Sequence, residues 1–259
     1  MSQNARRRHE ALVNAVLSGI RDTEALSEKL GVSVITIRRD LTQLAEQGRL
    51  VRTFGGAAPV GGAEPELNPT QRRFLHKARK EAIARAAAEQ VRAGETLLLD
   101  GGTTTAVLAQ HLRGRQDLRV ITNSLQVWTT LANEPGIELI ILGGHVRSVS
   151  WATSGPLGEW SLRRLSADRV FLGADGVVAG RGLCEASLEQ IQLKELMMAQ
   201  AGQVHIVVDS SKLGRSAQQA WAPLDRPWML ITDSEADEAQ LEPFRQLREV
   251  EVVVAPVTP

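Results

Sequence analysis

The stretch Ser33–Leu44, SVITIRRDLTQL, decides how the first part of the chain is read. Ser33 suits a helix N-cap, where a hydroxyl accepts a hydrogen bond from an otherwise orphaned backbone N–H. Ile37, Leu41 and Leu44 recur at i, i+4 and i+7 and lay an apolar seam along one face. Ile35, Thr36, Arg39, Thr42 and Gln43 then fall on the opposite face, with Arg38 on the flank. That outer face is short, polar and cationic, as a helix entering a DNA major groove requires. A solvated surface helix with two outward arginines has the same pattern, so the flanking sequence has to decide. Gly48 suits the position just past the helix end, where a left-handed residue is favoured.

The flanks favour the DNA-reading helix. Arg6–Leu17 predicts a first helix with Leu12, Val13, Val16 and Leu17 as its apolar stripe. Either Asp22 or Thr23 caps a second helix that runs to Leu30 and is buried by Leu26 and Leu30. Gly31-Val32-Ser33 is a tight turn leading directly into the quoted stretch, and two short helices so joined form a helix-turn-helix. Leu50–Ala57 reads as a strand and glycine turn, a wing carrying Arg49 and Arg52.

The 259 residues suffice for one large domain or two smaller ones. The formal net charge of zero hides an asymmetry. Residues 1–57 hold nine Lys/Arg against six Asp/Glu, and the remainder holds 21 against 24. A small basic head on a mildly acidic body fits nucleic-acid binding by the head. No apolar run reaches membrane-spanning length, and no apolar segment follows the basic start MSQNARRRHE. The single cysteine, Cys184, cannot form an internal disulfide, and the expected compartment is the cytoplasm.

Ala58–Pro69 is dense in proline and glycine and lacks periodicity. The charged stretch Arg72–Lys80 after it reads as the solvated start of a new helix. These features place a head at 1–57, a linker at 58–77 and a second domain at 78–259. In that domain short apolar strands (Thr96–Asp100, Leu118–Thr122, Ile137–Leu142, Arg169–Gly173, Val204–Asp209, Met229–Thr232, Val250–Val254) alternate with helices. The expected fold is α/β with a mostly parallel sheet. Such sheets bind ligands outside the carboxyl ends of their strands, where five polar motifs fall. They are Asp100-Gly101-Gly102-Thr103-Thr104-Thr105, Thr122-Asn123-Ser124, Gly143-Gly144 with Arg147, Gly173-Ala174-Asp175-Gly176, and Asp209-Ser210-Ser211-Lys212. Glycines, hydroxyls and a helix N-terminus together suit a phosphate, and the set predicts a polyol or sugar-phosphate pocket. The five histidines are scattered without metal-ligand spacing, and no cofactor is expected. The five tryptophans read as core or interface, with Trp151 and Trp221 able to line the pocket.

The block Leu30-Gly31-Val32-Ser33, Thr36-Ile37-Arg38-Arg39-Asp40-Leu41, Gly48 and Gly55-Gly56-Ala57 resembles the winged helix-turn-helix of the DeoR family, bacterial repressors of sugar catabolism. DGGTTT, TNS, the paired glycines with Arg147, FLGADGV and DSSKLG resemble the effector domain of that family, itself similar to ribose-5-phosphate isomerase and the CoA transferases. Phe54 stands where many members carry histidine, and Cys184 where many carry threonine. The resemblance implies DNA contacts from Ser33, Thr36, Arg38, Arg39 and Arg52. It implies phosphate on Gly102–Thr105, hydroxyls read by Asp100, Thr122, Asn123 and Asp175, and a charged contact from Lys212. Ser124, Gly143, Gly144 and Gly176 belong to the same motifs. Arg147 fits a ligand contact or a surface role equally, and Lys194 fits a structural role with a minor ligand role. Asp40 is expected to pair with a neighbouring arginine.

The function expected is a repressor of a carbohydrate operon, released from operator DNA by a sugar phosphate. A homodimer or homotetramer is expected, because one helix-turn-helix covers a half-site. The alternative is a sugar-phosphate isomerase with Asp175 as base beside Lys212, for which the TIRRDL head has no use.

Overall fold

In the computed structural model, which describes residues 3–17, 20, 22–53, 55–59, 72 and 74–258, the chain divides into two units, Met1–Glu66 and Leu67–Pro259. The first holds helices α1 (Gln3–Leu17), α2 (Thr23–Leu30) and α3 (Val34–Glu46), then strands β1 (Leu50–Thr53) and β2 (Gly56–Pro59). Asp22 is the cap of α2, its carboxylate accepting from the N–H groups of Glu24 and Ala25. Ser33 caps α3 by accepting from Thr36 N–H at 3.3 Å. Between the helices Gly31 sits at φ 64°, a left-handed conformation that costs glycine little.

Ile37, Leu41 and Leu44 are all buried, packed with Leu12, Val16, Leu26, Leu50 and Ala57. Ile35, on the opposite face, is 79% exposed. β1 and β2 pair antiparallel, with Leu50 opposite Pro59 and Thr53 opposite Gly56. Ala58 and Pro59 therefore belong to the wing, two residues into the expected linker. Of that linker, residues 60–71 and 73 lie outside the described residues, as does Phe54.

The second unit is built on a seven-stranded parallel sheet. Its strands are β3 (Thr96–Leu99), β4 (Leu118–Thr122), β5 (Ile137–Ile141), β8 (Ala167–Leu172), β11 (Ala201–Val207), β13 (Trp228–Asp233) and β14 (Val250–Ala255). The spatial order is β14-β13-β11-β8-β3-β4-β5, and every pairing is parallel. Side chains alternate between its two faces. Leu97, Leu99, Val120, Phe171, Val207 and Ile231 pack with Ile83, Ala84 and Ala87 of α4 (Lys77–Glu89), with α5 (Thr103–Leu112) and with α6 (Leu125–Leu131). Leu98, Ile121, Val170, Leu172, Ile206 and Leu230 pack the other way, with α7 (Pro156–Leu162), α8 (Leu188–Ala199) and α9 (Glu238–Arg245).

Two antiparallel additions escaped the sequence reading. One is the hairpin β6 (His145–Arg147) with β7 (Ala152–Ser154). The other joins β9 (Gly176–Val178), β10 (Gly182–Glu185) and β12 (Ala220–Ala222). Strands of three or four residues are too short to show a period.

Leu41 anchors the head, being fully buried at the centre of the α3 seam. Leu41→Ala should cost about 2–5 kcal/mol in urea unfolding of the head. A loss below about 1 kcal/mol would mean that the seam packs loosely.

Candidate functional site

Arg38 and Arg39 both stand exposed on α3, with Ile35 and Thr42. Behind them Asp40 is buried and holds the helix to α1. Its carboxylate accepts from Arg8 Nε and, at 3.0 Å, from Arg8 Nη2, and His9 Nε2 lies 3.2 Å away. Burial pushes the Asp40 carboxyl up, but the Arg8 and His9 contacts outweigh it and hold the group below its ordinary range. The expected pairing of Asp40 is thus with Arg8, from another helix.

Ser33 and Thr36 are joined through their hydroxyls at 2.9 Å, so both serve the cap as well as the outer surface. Arg52 donates from Nη1 to Gly56 O at 2.7 Å, which spans the wing turn.

In the second unit the polar motifs gather at the carboxyl ends of the neighbouring strands β11, β8, β3 and β4. Lys194, on α8, joins the ends of β3 and β8. Its ammonium donates to Asp100 Oδ2 and, at 2.7 Å, to the Gly173 carbonyl, and lies 2.8 Å from Glu185 Oε1. All three side chains are buried. Burial works against the Lys194 charge, yet Asp100 and Glu185 outweigh it and raise its pKa. One ammonium facing two carboxylates leaves the second poorly compensated. Burial, opposed by Lys194 but reinforced by Asp175 and Asp100, pushes Glu185 up to about 7. Glu185 was absent from the sequence reading, since the CEAS context resembles an ordinary turn.

Over this hub lies the Asp100–Thr105 loop. α5 starts at Thr103, two residues earlier than expected near Thr105, and no side chain caps it. Its first turn therefore offers free N–H groups to an anion. Thr105 Oγ1 is spent internally, donating to Asp100 O at 2.7 Å and Gly102 O at 2.9 Å. Thr104 is buried and Thr103 half-buried. Thr122 donates to Leu99 O at 2.6 Å and accepts from Ser124 N–H at 3.0 Å, while Ser124 Oγ caps α6. These two build the strand-to-helix turn. Asn123 differs: its Nδ2 donates to Thr153 O at 3.2 Å, but its Oδ1 is buried with no partner.

Asp175 Oδ1 lies 3.1 Å from Arg72 Nη2, and its Oδ2 accepts from Gln218 Nε2 at 3.2 Å. Lys80, expected on a solvated helix start, is instead buried on α4 and donates to Arg72 O at 2.5 Å. Burial lowers its pKa to about 8, countered by Asp209 and reinforced by Arg72 and Lys212. Arg72, Lys80 and Lys212 thus form a cationic group beside two aspartates. Lys80 was missed because a charge run reads as solvent-facing.

Two motif glycines are explained by close packing. A Cβ on Gly176 would lie 2.1 Å from Arg215 O, and one on Gly144, at φ 140°, 2.2 Å from Ser154 O. Gly143 meets Leu157, and Arg147 reaches Ser150 Oγ at 3.3 Å within its own hairpin. Trp151 lines a groove of about 240 Å³ between α5 and α6, together with Thr103. Trp221 does not line that groove: its indole carries the Arg181 guanidinium at 3.6 Å.

A winged helix-turn-helix followed by an α/β domain with a polar site at its strand ends defines a DNA-binding transcriptional regulator. Residues 8–60 match the DeoR-like helix-turn-helix domain and residues 75–234 the DeoR C terminal sensor domain. The chain belongs to the DeoR family. It is 36% identical over 232 residues to the glycerol-3-phosphate regulon repressor of Escherichia coli (strain K12), covering 88% of this chain and 90% of that one. It is 33% identical over 250 residues to a putative aga operon transcriptional repressor of Escherichia coli O157:H7, covering 96% and 93%. The lactose phosphotransferase system repressor of Lactococcus lactis is 30% identical over 247 residues, covering 94% and 96%. Among solved structures, ribose 5-phosphate isomerase A of Methanocaldococcus jannaschii aligns with 51% of this chain and 52% of its own, at 20% identity and a TM-score of 0.39. No function follows from so distant a likeness.

The buried Glu185 makes a pH prediction. Its folded pKa, about 7, stands above the ordinary 4.5. The protonated form is favoured by folding, so this contribution is present below pH 4.5 and is lost as pH rises through 7. Glu185→Gln should flatten the change in urea midpoint between about pH 4.5 and 7. An unchanged slope would show that Glu185 titrates normally.

Proposed function

We infer that the protein represses a carbohydrate catabolic operon and is released from its operator by a phosphorylated sugar. The observation that carries this is the uncapped N-terminus of α5, set over the Lys194 hub and next to the unpartnered Asn123 Oδ1. The phosphate sits on the N–H groups of Gly102–Thr105, and Asn123 and Asp100 read hydroxyls. Lys80, Lys212 and Arg72 supply positive charge at the other side of the site. Thr122, Ser124, Gly144, Gly176 and Lys194 shape the pocket rather than touch the ligand. The names of the relatives, repressors of the glycerol-3-phosphate regulon and of the lactose phosphotransferase system, support a sugar-phosphate effector.

Recognition of DNA falls to Arg39 for a base edge and Arg38 for the backbone, with Ser33, Thr36 and Arg52 around them. Two heads on a repeated or palindromic site require at least a dimer. Regulation, rather than isomerisation, is favoured because Arg72 and Gln218 already engage both oxygens of Asp175, which leaves it poorly placed to take a proton from a substrate C–H.

A gel-shift series tests the DNA assignment. Arg39→Ala should relax sequence preference, by roughly 1–3 kcal/mol at one base position. Arg38→Ala should weaken operator and random DNA alike. Equal losses on both DNAs for both variants would refute it. Adding candidate sugar phosphates should lower operator occupancy, and no response to any of them would remove the effector reading.

Effector binding should also depend on pH. A bound dianion favours charged Lys80, whose pKa is about 8 without ligand. Calorimetric affinity should therefore fall as pH rises through 8, and Lys80→Met should abolish that fall. A flat profile in the unsubstituted protein would show that Lys80 supplies no charge to the bound ligand.

A further inference from the structure

Helix α7 turns to solvent a face that surface helices ordinarily make polar. Gly158 and Leu162 face inward, while Leu157 and Trp160 point outward, 69% and 61% exposed. Leu188, at the start of α8, is 62% exposed, and α8 packs beside α7. His145 links the two helix starts: its Nε2 lies 3.8 Å from Glu189 Oε2, and its Nδ1 is 3.2 Å from where a Cβ on Gly155 would sit. The three apolar side chains leave roughly 400 Å² uncovered, as large as the main apolar patch of a typical monomer. A standard stable interface buries about 800 Å² per partner, so this patch supplies about half of one.

Charge is arranged around that patch in a particular way. Glu159 on α7 and Arg163 at its C-cap flank Trp160, and neither side chain has an ion-pair or hydrogen-bond partner among the described residues. Arg164 is placed differently, its guanidinium lying over the Trp160 ring at 4.0 Å.

We propose that α7 is a two-fold interface between two copies of this chain. The two α7 helices cross antiparallel near Ser161, so that Glu159 of each protomer meets Arg163 of the partner subunit and Leu157, Trp160 and Leu188 are covered. A two-fold contact uses one patch twice and must be complementary to itself. Opposite charges on either side of the crossing point satisfy that condition. A parallel crossing would set Glu159 against its own copy. The second copy also supplies the second head that a two-half-site operator needs. The proposal thus rests on the operator reading above, and mass measured without DNA tests it separately from that reading.

Sedimentation velocity of the full chain, without DNA, is the test. Trp160→Asp and Glu159→Arg should each halve the sedimenting mass, or weaken assembly at least tenfold. Glu159→Arg combined with Arg163→Glu should restore it. Circular dichroism melting checks that each variant is folded; should Trp160→Asp fail to fold, the charge pair alone decides. Unchanged mass for a folded Trp160→Asp would overturn the proposal, as would failure of the folded double variant to recover. A monomeric unsubstituted protein would also overturn it.

Discussion

A buried ammonium, that of Lys194, holds the sensor domain's site in one arrangement. It binds the end of β3 through Asp100, the end of β8 through the Gly173 carbonyl, and β10 through Glu185. Taking a lysine and two carboxyls out of water is costly, and only close pairing offsets that cost. Breaking such a group by deleting the cation ordinarily costs about 3–5 kcal/mol, because two anions are left without a partner. The Asp100–Thr105 loop rests on this hub. A ligand that draws Asp100 away from Lys194, or adds negative charge near Glu185, changes the balance at all three strand ends.

The head depends on an analogous but smaller arrangement. Asp40, buried on α3, is fixed by Arg8 and lies against His9 of α1, while Arg38 and Arg39 project outward. The buried acid thus sets the angle at which the outward arginines are presented. A helix read only as an apolar seam would not specify that angle.

The periodic parts of the fold were legible in the sequence. The Ile37, Leu41, Leu44 seam and the apolar strands of the parallel sheet follow from spacing alone, since one face or both faces of each element must be buried. The family was legible too, because TIRRDL and DGGTTT join a fixed spacing to a specific chemistry. Residues whose role depends on distant partners were not legible. Lys80 lies in a run of charge and looks solvated, yet packing of α4 on the sheet buries it. Glu185 gains its raised pKa from burial, reinforced by Asp175 and Asp100 and opposed by Lys194, groups that lie on other elements. Gly176 and Gly144 resemble ligand-loop glycines, and the sequence carries no sign of the carbonyl that lies about 2 Å from where a Cβ would be at each.

Repression with release by a ligand requires two states that the ligand tells apart. The coupling must then be reciprocal: a sugar phosphate that weakens operator binding by some factor has its own binding weakened by operator DNA by the same factor. The most direct test is titration calorimetry of the effector, with and without saturating operator duplex. Adding the duplex should lower effector affinity by the same factor by which the effector lowers operator affinity. Equal effector affinity in the two titrations would contradict it.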